Sequence, residues 1–272
     1  MAADQNTPHE FRPDTQFLNQ HFLNPTTARA LVDQTGITED DVVLDVGAGT
    51  GVLTAEIQRR RPRRIIAVEA DPRCAPALRA LAARSPRLEV RFARIQNIHP
   101  ADLSEVTMIV ANPPFSALEH IAALMRDLRS LRAADMCVSN TWATSVTAPP
   151  TSNRYSVGSL SIQTRFDAHI VQLIEGSLFT PPTARPAAWL HLSPASRTDP
   201  ILDMLADAGR HRAGMRVKEL LRSPRMNRLP GLRRRVQALG RDVGIKELQQ
   251  RRLSALTMPQ LAQLVRAITA AE

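Results

Sequence analysis

The run Asp45-Val46-Gly47-Ala48-Gly49-Thr50-Gly51 constrains the fold of this chain more than any other feature. It follows the apolar run Val42-Val43-Leu44 and opens onto a helical stretch that extends through Arg60. Glycines at alternate positions let a backbone turn sharply and approach a ligand where side chains would clash. A lone glycine turn serves nucleotide cofactors of several kinds, so its context decides more than its pattern. Here the next strand, Ile65-Ile66-Ala67-Val68-Glu69, ends in a carboxylate that can accept both hydroxyls of a ribose. The Asp-x-Gly-x-Gly-x-Gly spacing differs from the dinucleotide fingerprint, and no pyrophosphate is expected on the helix N-terminus. Gly47, Gly49 and Glu69 are therefore the candidate cofactor-binding residues.

Strand and helix patterns then alternate. Leu88 to Phe92, Thr107 to Ala111 and Met136 to Ser139 read as further strands, with helices over Cys74 to Arg84 and Leu118 to about Leu131. This is the pattern of a doubly wound, mostly parallel sheet. His169 to Ile174 and Ala187 to Leu192, separated by the turn-rich Phe179-Thr180-Pro181-Pro182, are expected to form an antiparallel edge pair and complete seven strands. Past the Ser-, Pro- and Thr-rich stretch 193–200 no strand-like run remains, and Leu220, Leu221, Leu248, Leu253, Leu261 and Leu264 fall at helical spacing. The expected division is a flexible leader over 1–15, an α/β domain over 16–195 and a small basic α-helical domain over 196–272.

Charge narrows the class of partner. The formal net charge is +9 and the isoelectric point about 11.0, and nearly all of the cationic residues are arginine. A polyanion is the natural partner, and arginine's planar fork suits phosphate and base stacking alike. The tail carries the dense run Arg233-Arg234-Arg235, expected to clamp RNA phosphates without reading sequence. No apolar run is long enough to span a bilayer and the first residues have no signal-type apolar stretch, so a cytoplasmic protein is expected, and a monomer is the default for one that must dock on a large RNA. Cys74 and Cys137 are read as buried thiols, and the seven scattered histidines suggest no metal.

The candidate reaction centre is Asn112-Pro113-Pro114-Phe115, directly after the fourth strand, where α/β sheets bind their ligands. The exocyclic amine of a purine is a poor nucleophile because its lone pair is delocalised into the ring. A side-chain amide oxygen and a backbone carbonyl can accept both N–H protons and steer the lone pair out of the plane; Asn112 and the Pro113 carbonyl fit those roles. Prolines stiffen the loop, and Phe115 offers a face for a flipped-out base.

Together these residues resemble the ribosomal RNA adenine N6-methyltransferase family, and within it the 23S enzymes of macrolide-type resistance more than the universal 16S dimethylases. The resemblance runs from about Gln16 to Leu192. Asn19-Gln20-His21-Phe22-Leu23 is similar to the family's Gln-Asn-Phe-Leu segment, which implies cofactor contacts at His21 and Leu23. Ser177 to Pro182 is similar to a late Phe-x-Pro-Pro segment, which implies that the Phe179 ring lies near the target base. The third strand's end implies cofactor contacts at Arg94 and Ile95, and Asn112 borders the cofactor as well. The resemblance further implies a Rossmann-like class I methyltransferase fold, S-adenosyl-L-methionine as cofactor and ribosomal RNA, 23S in the first reading, as partner, with resistance to a ribosome-targeting antibiotic as a plausible role.

Four departures stand out. His21 replaces the family's Asn, Arg94 occupies the place of an acid that recognises the cofactor's adenine, Pro113 replaces Ile or Leu, and Arg185-Pro186-Ala187-Ala188 replaces a Val-Asp-Ser-Ala-like run. Asn-Pro-Pro loops also serve enzymes that methylate guanine N2 or a protein glutamine. A guanine-modifying rRNA methyltransferase and a catalytically silent RNA-binding relative therefore remain alternative readings.

Overall fold

The computed structural model describes residues 21–196, 203, 206, 215–222, 234–235 and 243–270. The expected leader, Gln16 to Gln20 and Arg233 lie outside these. Seven strands form one sheet: β2 (Val42–Val46), β3 (Arg64–Glu69), β4 (Leu88–Phe92), β5 (Met108–Ala111), β6 (Ala133–Ser139), β7 (Phe166–Ile174) and β9 (Ala187–Pro194). The order is β4-β3-β2-β5-β6-β9-β7. Strands β4 to β6 are mutually parallel, and β9 runs antiparallel between β6 and β7. The sheet is the doubly wound, mostly parallel, seven-stranded sheet expected from the sequence. Its order reverses at β2, between β3 and β5, which is where such sheets hold ligands.

Both faces are covered, which is why the central strands are buried along their length and mostly apolar rather than alternating. Helices α1 (Pro25–Val32), α2 (Val52–Arg59) and α3 (Ala75–Ala82) bury Leu31, Ile57 and Leu78 on one face. Helix α4 (Leu118–Asp127) buries Ile121 and Met125 on the other, with α5 (Asn140–Val146) and α6 (Val157–Gln163) beside it. Local chemistry starts α1: the Asn24 side chain accepts from the Thr27 N–H at 2.8 Å, and Pro25 occupies the first turn.

Two boundaries differ from the sequence reading. Helix α4 stops at Asp127, yet Leu128 and Leu131 stay buried in the loop that follows, so apolar periodicity outlasts the helix. Strand β6 begins at Ala133, not near Met136. Its interior Asp135 disguises it, and is tolerated there because His191 of β9 hydrogen-bonds it at 2.8 Å. The sequence reading also missed α5, α6 and a second, two-stranded sheet, in which β1 (Phe22–Leu23) pairs antiparallel with β8 (Phe179–Thr180).

At the amino-terminal edge, Asp41 ties three strands together. Arg132, ahead of β6, grips its carboxylate with Nε at 2.8 Å and Nη2 at 2.6 Å, while Thr107, ahead of β5, donates at 2.8 Å. Beyond the sheet, α7 (Val217–Leu221), α8 (Val243–Gln250) and α9 (Met258–Ala270) share a core that includes Leu220, Leu248, Leu264 and, from the sheet-bearing part, Tyr155 and Leu160. Both cysteines are buried thiols; burial, with the Glu69 and Asp71 charges, pushes Cys74 up to about 12. Among the described residues no helix is long and apolar enough to cross a membrane.

Candidate functional site

The carboxyl ends of β2, β3 and β5 gather the chemistry. The amides of Gly47 and Ala48 both donate to the Val68 carbonyl, at 2.8 and 3.1 Å, which seats the glycine turn against β3. Gly47, Gly49 and Gly51 all have positive φ, between 58° and 87°. Their packing corrects one expectation: the missing side chains make room for the protein itself. A Cβ on Gly47 would lie 2.8 Å from Pro114 Cδ, on Gly49 2.3 Å from the Phe22 ring, and on Gly51 2.3 Å from Leu81. The glycine turn, the Asn-Pro-Pro loop and the segment ahead of α1 thus touch one another.

Glu69 is 6% exposed and its two oxygens are each held by one backbone amide, Gly49 at 2.7 Å and Asp71 at 2.7 Å. A carboxylate offers about four acceptor positions, so it keeps capacity for two more donors. Asp45 accepts the Thr54 hydroxyl at 2.7 Å through one oxygen, and its other oxygen, Oδ1, is buried without a partner among the described residues. Burial raises Asp45 to about 7, with the Glu69 charge adding to that and the Thr54 bond opposing it.

Asn112 follows β5 immediately. Its Nδ2 donates to the backbone carbonyl of His21 at 2.9 Å. Because a carbonyl only accepts, the amide end facing His21 must be nitrogen, and Oδ1 is turned the other way as an acceptor. The His21 ring is fixed in turn: Nδ1 donates to the Pro181 carbonyl at 2.9 Å. The β1–β8 ribbon continues this contact, with Phe22 opposite Thr180 and Leu23 opposite Phe179. Three segments far apart in the chain, at His21, Asn112 and Pro181, therefore meet at one point.

The remaining candidates divide by burial. Phe115 is 49% exposed, three residues on from Asn112, and can present its face to a base. Phe179, expected near the target base, is 4% exposed and packs in the core with Leu23, Ala187 and Trp189. Leu23 and Ile95 likewise place their side chains in the two cores. Arg94 follows β4 on the surface and its carbonyl caps a short turn at Asn97. Pro113 is buried against the glycine turn. Arg234 and Arg235 lie in helical backbone, Arg234 exposed. The sequence reading missed Phe22, which packs on Gly49, and Thr54 and Asp71, which hold the two carboxylates; only their nearness to Gly51 and Glu69 hinted at them.

Comparison with known proteins now bears on the site. Residues 11–197 match the family model described as ribosomal RNA adenine dimethylase. The chain belongs to this family. Curated relatives named ribosomal RNA small subunit methyltransferase A include one from Persephonella marina, 27% identical over 71% of this chain and 74% of its own length. Another, from Rhodococcus erythropolis, is 37% identical over 55% of this chain and 52% of its own length. A third, from Thermotoga petrophila, is 31% identical over 60% of this chain and 62% of its own length. The chain thus spans between about half and three quarters of these relatives. Among solved structures, a dimethyladenosine transferase from Plasmodium falciparum superposes with a TM-score of 0.64 at 17% identity, covering 92% of this chain and 98% of that one. The 23S rRNA methyltransferase ErmE gives 0.61 at 20% identity, covering 91% and 98%. These likenesses establish the class I methyltransferase fold.

The methyl donor of this dimethylase family is S-adenosylmethionine, and the residues present fit it. Glu69 has acceptor capacity left for two ribose hydroxyls, and the unpartnered Oδ1 of Asp45 seeks a donor or a cation at the same sheet edge.

Proposed function

We propose that this dimethylase-family chain methylates N6 of an adenine in ribosomal RNA, with Asn112 as the residue that prepares the amine. The observation that carries this reading is the 2.9 Å bond from Asn112 Nδ2 to the His21 carbonyl, which commits the amide oxygen to the other side. When bound, the cofactor supplies an electrophilic methyl group, and the protein has only to place the amine in line with it. Glu69 would hold the ribose of that cofactor. Asn112 Oδ1 and the Pro113 carbonyl would accept the two N–H protons of the target amine, freeing its lone pair from the ring. Phe115 would stack on the flipped base, while buried Phe179 and Leu23 support the β1–β8 ribbon from beneath. Two backbone-anchored acceptors suit a primary exocyclic amine. Adenine is favoured over guanine by the family match.

The small-subunit RNA is the better-supported target, since that is what the curated relatives' names state. Beside the expectation of 23S rRNA and antibiotic resistance stands only a likeness to ErmE at 20% identity, which carries the fold and not the substrate. The experiment is mass spectrometry of nucleosides from 16S and 23S rRNA after incubation with the protein and labelled S-adenosylmethionine. Label in N6-methylated adenosine is the expected result, and label only in a methylated guanosine would sink the reading. The subunit in which the mark appears decides between the two targets. We place RNA binding in the tail, through Arg233, Arg234 and Arg235, as a part of the same proposal.

A further inference from the structure

The proposed reaction uses the carboxyl edge of the sheet. The opposite edge, where β3 and β4 begin, carries a concentration of arginines that the reaction does not explain. Arg63, Arg64 and Arg87 line a groove there together with Pro86, Leu88, Glu89 and Glu105. Arg61 joins them, since Arg87 Nη1 donates to the Arg61 carbonyl at 3.1 Å. Arg61, Arg63 and Arg87 are exposed, and so is Arg84, in the turn just before Pro86.

Ion pairing separates this group from an ordinary solvated face. In the run 59–64, Arg59 pairs with Glu56 at 2.7 Å and Arg60 with Asp33 at 3.5 Å. The acids of the groove are also taken: Arg64 bridges Glu89 and Glu105, and Arg91 holds Glu89. Among the described residues, Arg61, Arg63, Arg84 and Arg87 have no carboxylate partner. Arg61 also has a φ of +56°, which its Cβ disfavours and which asparagine or glycine would adopt more readily. The chain thus keeps an arginine in a strained turn beside three other uncompensated arginines.

We infer that this edge is a second RNA-binding surface, which grips the phosphate backbone of a double-stranded segment of the same RNA whose adenine enters at the opposite edge. This rests on the reading of the chain as an rRNA methyltransferase. Guanidinium forks match phosphate oxygens, and the groove's lining holds no aromatic residue for stacking bases, so the surface positions without reading sequence. A six-residue parallel strand separates the two edges, roughly 20 Å at about 3.3 Å per residue. A stem-loop of only a few base pairs is shorter than that span, whereas folded ribosomal RNA reaches both edges.

The test compares the wild type with the triple variant Arg61→Asn, Arg63→Gln, Arg87→Gln, in which asparagine suits the left-handed turn. A control variant, Arg29→Gln, Arg59→Gln, Arg60→Gln, loses the same charge elsewhere. Binding of a 20-base-pair RNA duplex and of intact rRNA is measured against salt, alongside cofactor affinity and turnover on a short adenine-bearing stem-loop. The expected result is about 10-fold or more weaker binding of both RNAs by the triple variant, with a log–log salt slope shallower by about 2 to 3. Its cofactor affinity and stem-loop turnover stay at wild-type levels, and the control keeps the wild-type slope. Equal affinity and slope in the wild type and the triple variant, or an equal loss in the control, overturns the inference while leaving the role of Asn112 intact. Duplex binding that depends on these arginines, with no methyl mark anywhere in rRNA, would instead retain the surface and reject the methylation reading.

Discussion

The side-chain amide of Asn112 is pinned by its nitrogen to the backbone carbonyl of His21, 2.9 Å away and 91 residues earlier in the chain. The bond decides which end of the amide serves as acceptor. His21 is itself held by its ring against the Pro181 carbonyl at 2.9 Å, so the amide's orientation depends on a small ribbon, not on the Asn-Pro-Pro loop alone.

Substitution at Asn112 separates orientation from mere presence of an oxygen. Asn112→Ala removes the acceptor and is expected to lower turnover by about 10²- to 10³-fold or more, in line with the loss of one preorganised polar group. Asn112→Asp keeps oxygens but cannot donate to the His21 carbonyl, so it is expected to be almost as poor. Both variants retain cofactor affinity by calorimetry, because Glu69 and Asp45 are untouched. Wild-type turnover in either variant would show that the loop does not prepare the amine.

How much of this was legible in the sequence depends on the range of each interaction. The sheet was, because Val42-Val43-Leu44 and Ile65-Ile66-Ala67-Val68 are continuous apolar runs that need no distant partner to be recognised. Glu69 and Asn112 were, because each ends a strand. Helix α5 was not, since Asn140–Val146 is rich in Thr and Ser and is held by a Ser139 cap and by packing against β6 and β7. The burial of Phe179 was equally hidden: it follows from pairing with Leu23, 156 residues away, which no local pattern encodes. The same long-range closure sets Phe22 against Gly49, so what looked like a ligand-driven glycine is also a packing requirement.

Asp41 offers a stability test with a definite pH sign. Burial alone would raise its carboxyl, but the Arg132 grip and the bonds from Thr38 and Thr107 win and hold it well below the ordinary carboxylate range. A depressed carboxylate stabilises the fold above its unfolded value, near pH 4, and that contribution disappears as pH falls through the folded value. Asp41→Asn is expected to cost about 1–3 kcal/mol at pH 7, at the modest end for a buried pair because Arg132 is 44% exposed. Urea midpoints should converge between variant and wild type on acidification. A gap that is constant from pH 7 to pH 3 would mean that the charge of Asp41 does not matter.

Gly49→Ala tests the close packing beneath the site. The new Cβ would stand 2.3 Å from the Phe22 ring at a φ of +58°, so it meets both a clash and a backbone penalty. A loss of about 2–3 kcal/mol is expected, together with a marked loss of cofactor affinity, since the Gly49 amide holds Glu69. Adding Phe22→Ala should relieve the clash but not the backbone strain, and so recover part of the stability. Full recovery in thermal denaturation would assign the whole effect to the ring.

Asp45 joins stability to cofactor binding. Burial and, to a smaller extent, the Glu69 charge outweigh the Thr54 hydroxyl and lift its carboxyl to about 7. In the free protein Asp45 therefore holds a proton between about pH 4 and pH 7 that the unfolded chain has lost, and stability must fall as pH rises through that window. Asp45→Asn removes this dependence, so its melting temperature should exceed that of the wild type near pH 8 and approach it near pH 4. The cofactor reverses the preference. A cationic ligand at this sheet edge favours the ionised carboxylate, whose Oδ1 otherwise lies buried without a partner. Binding of S-adenosylmethionine near pH 6 should then release a fraction of a proton from Asp45. Calorimetry in buffers of different ionisation enthalpy measures that release directly, and Asp45→Asn should abolish it while sparing the two bonds from Gly49 and Asp71 that hold Glu69. The same proton count in both proteins would place Asp45 outside the reach of the cofactor's charge, and leave its raised value a matter of burial alone.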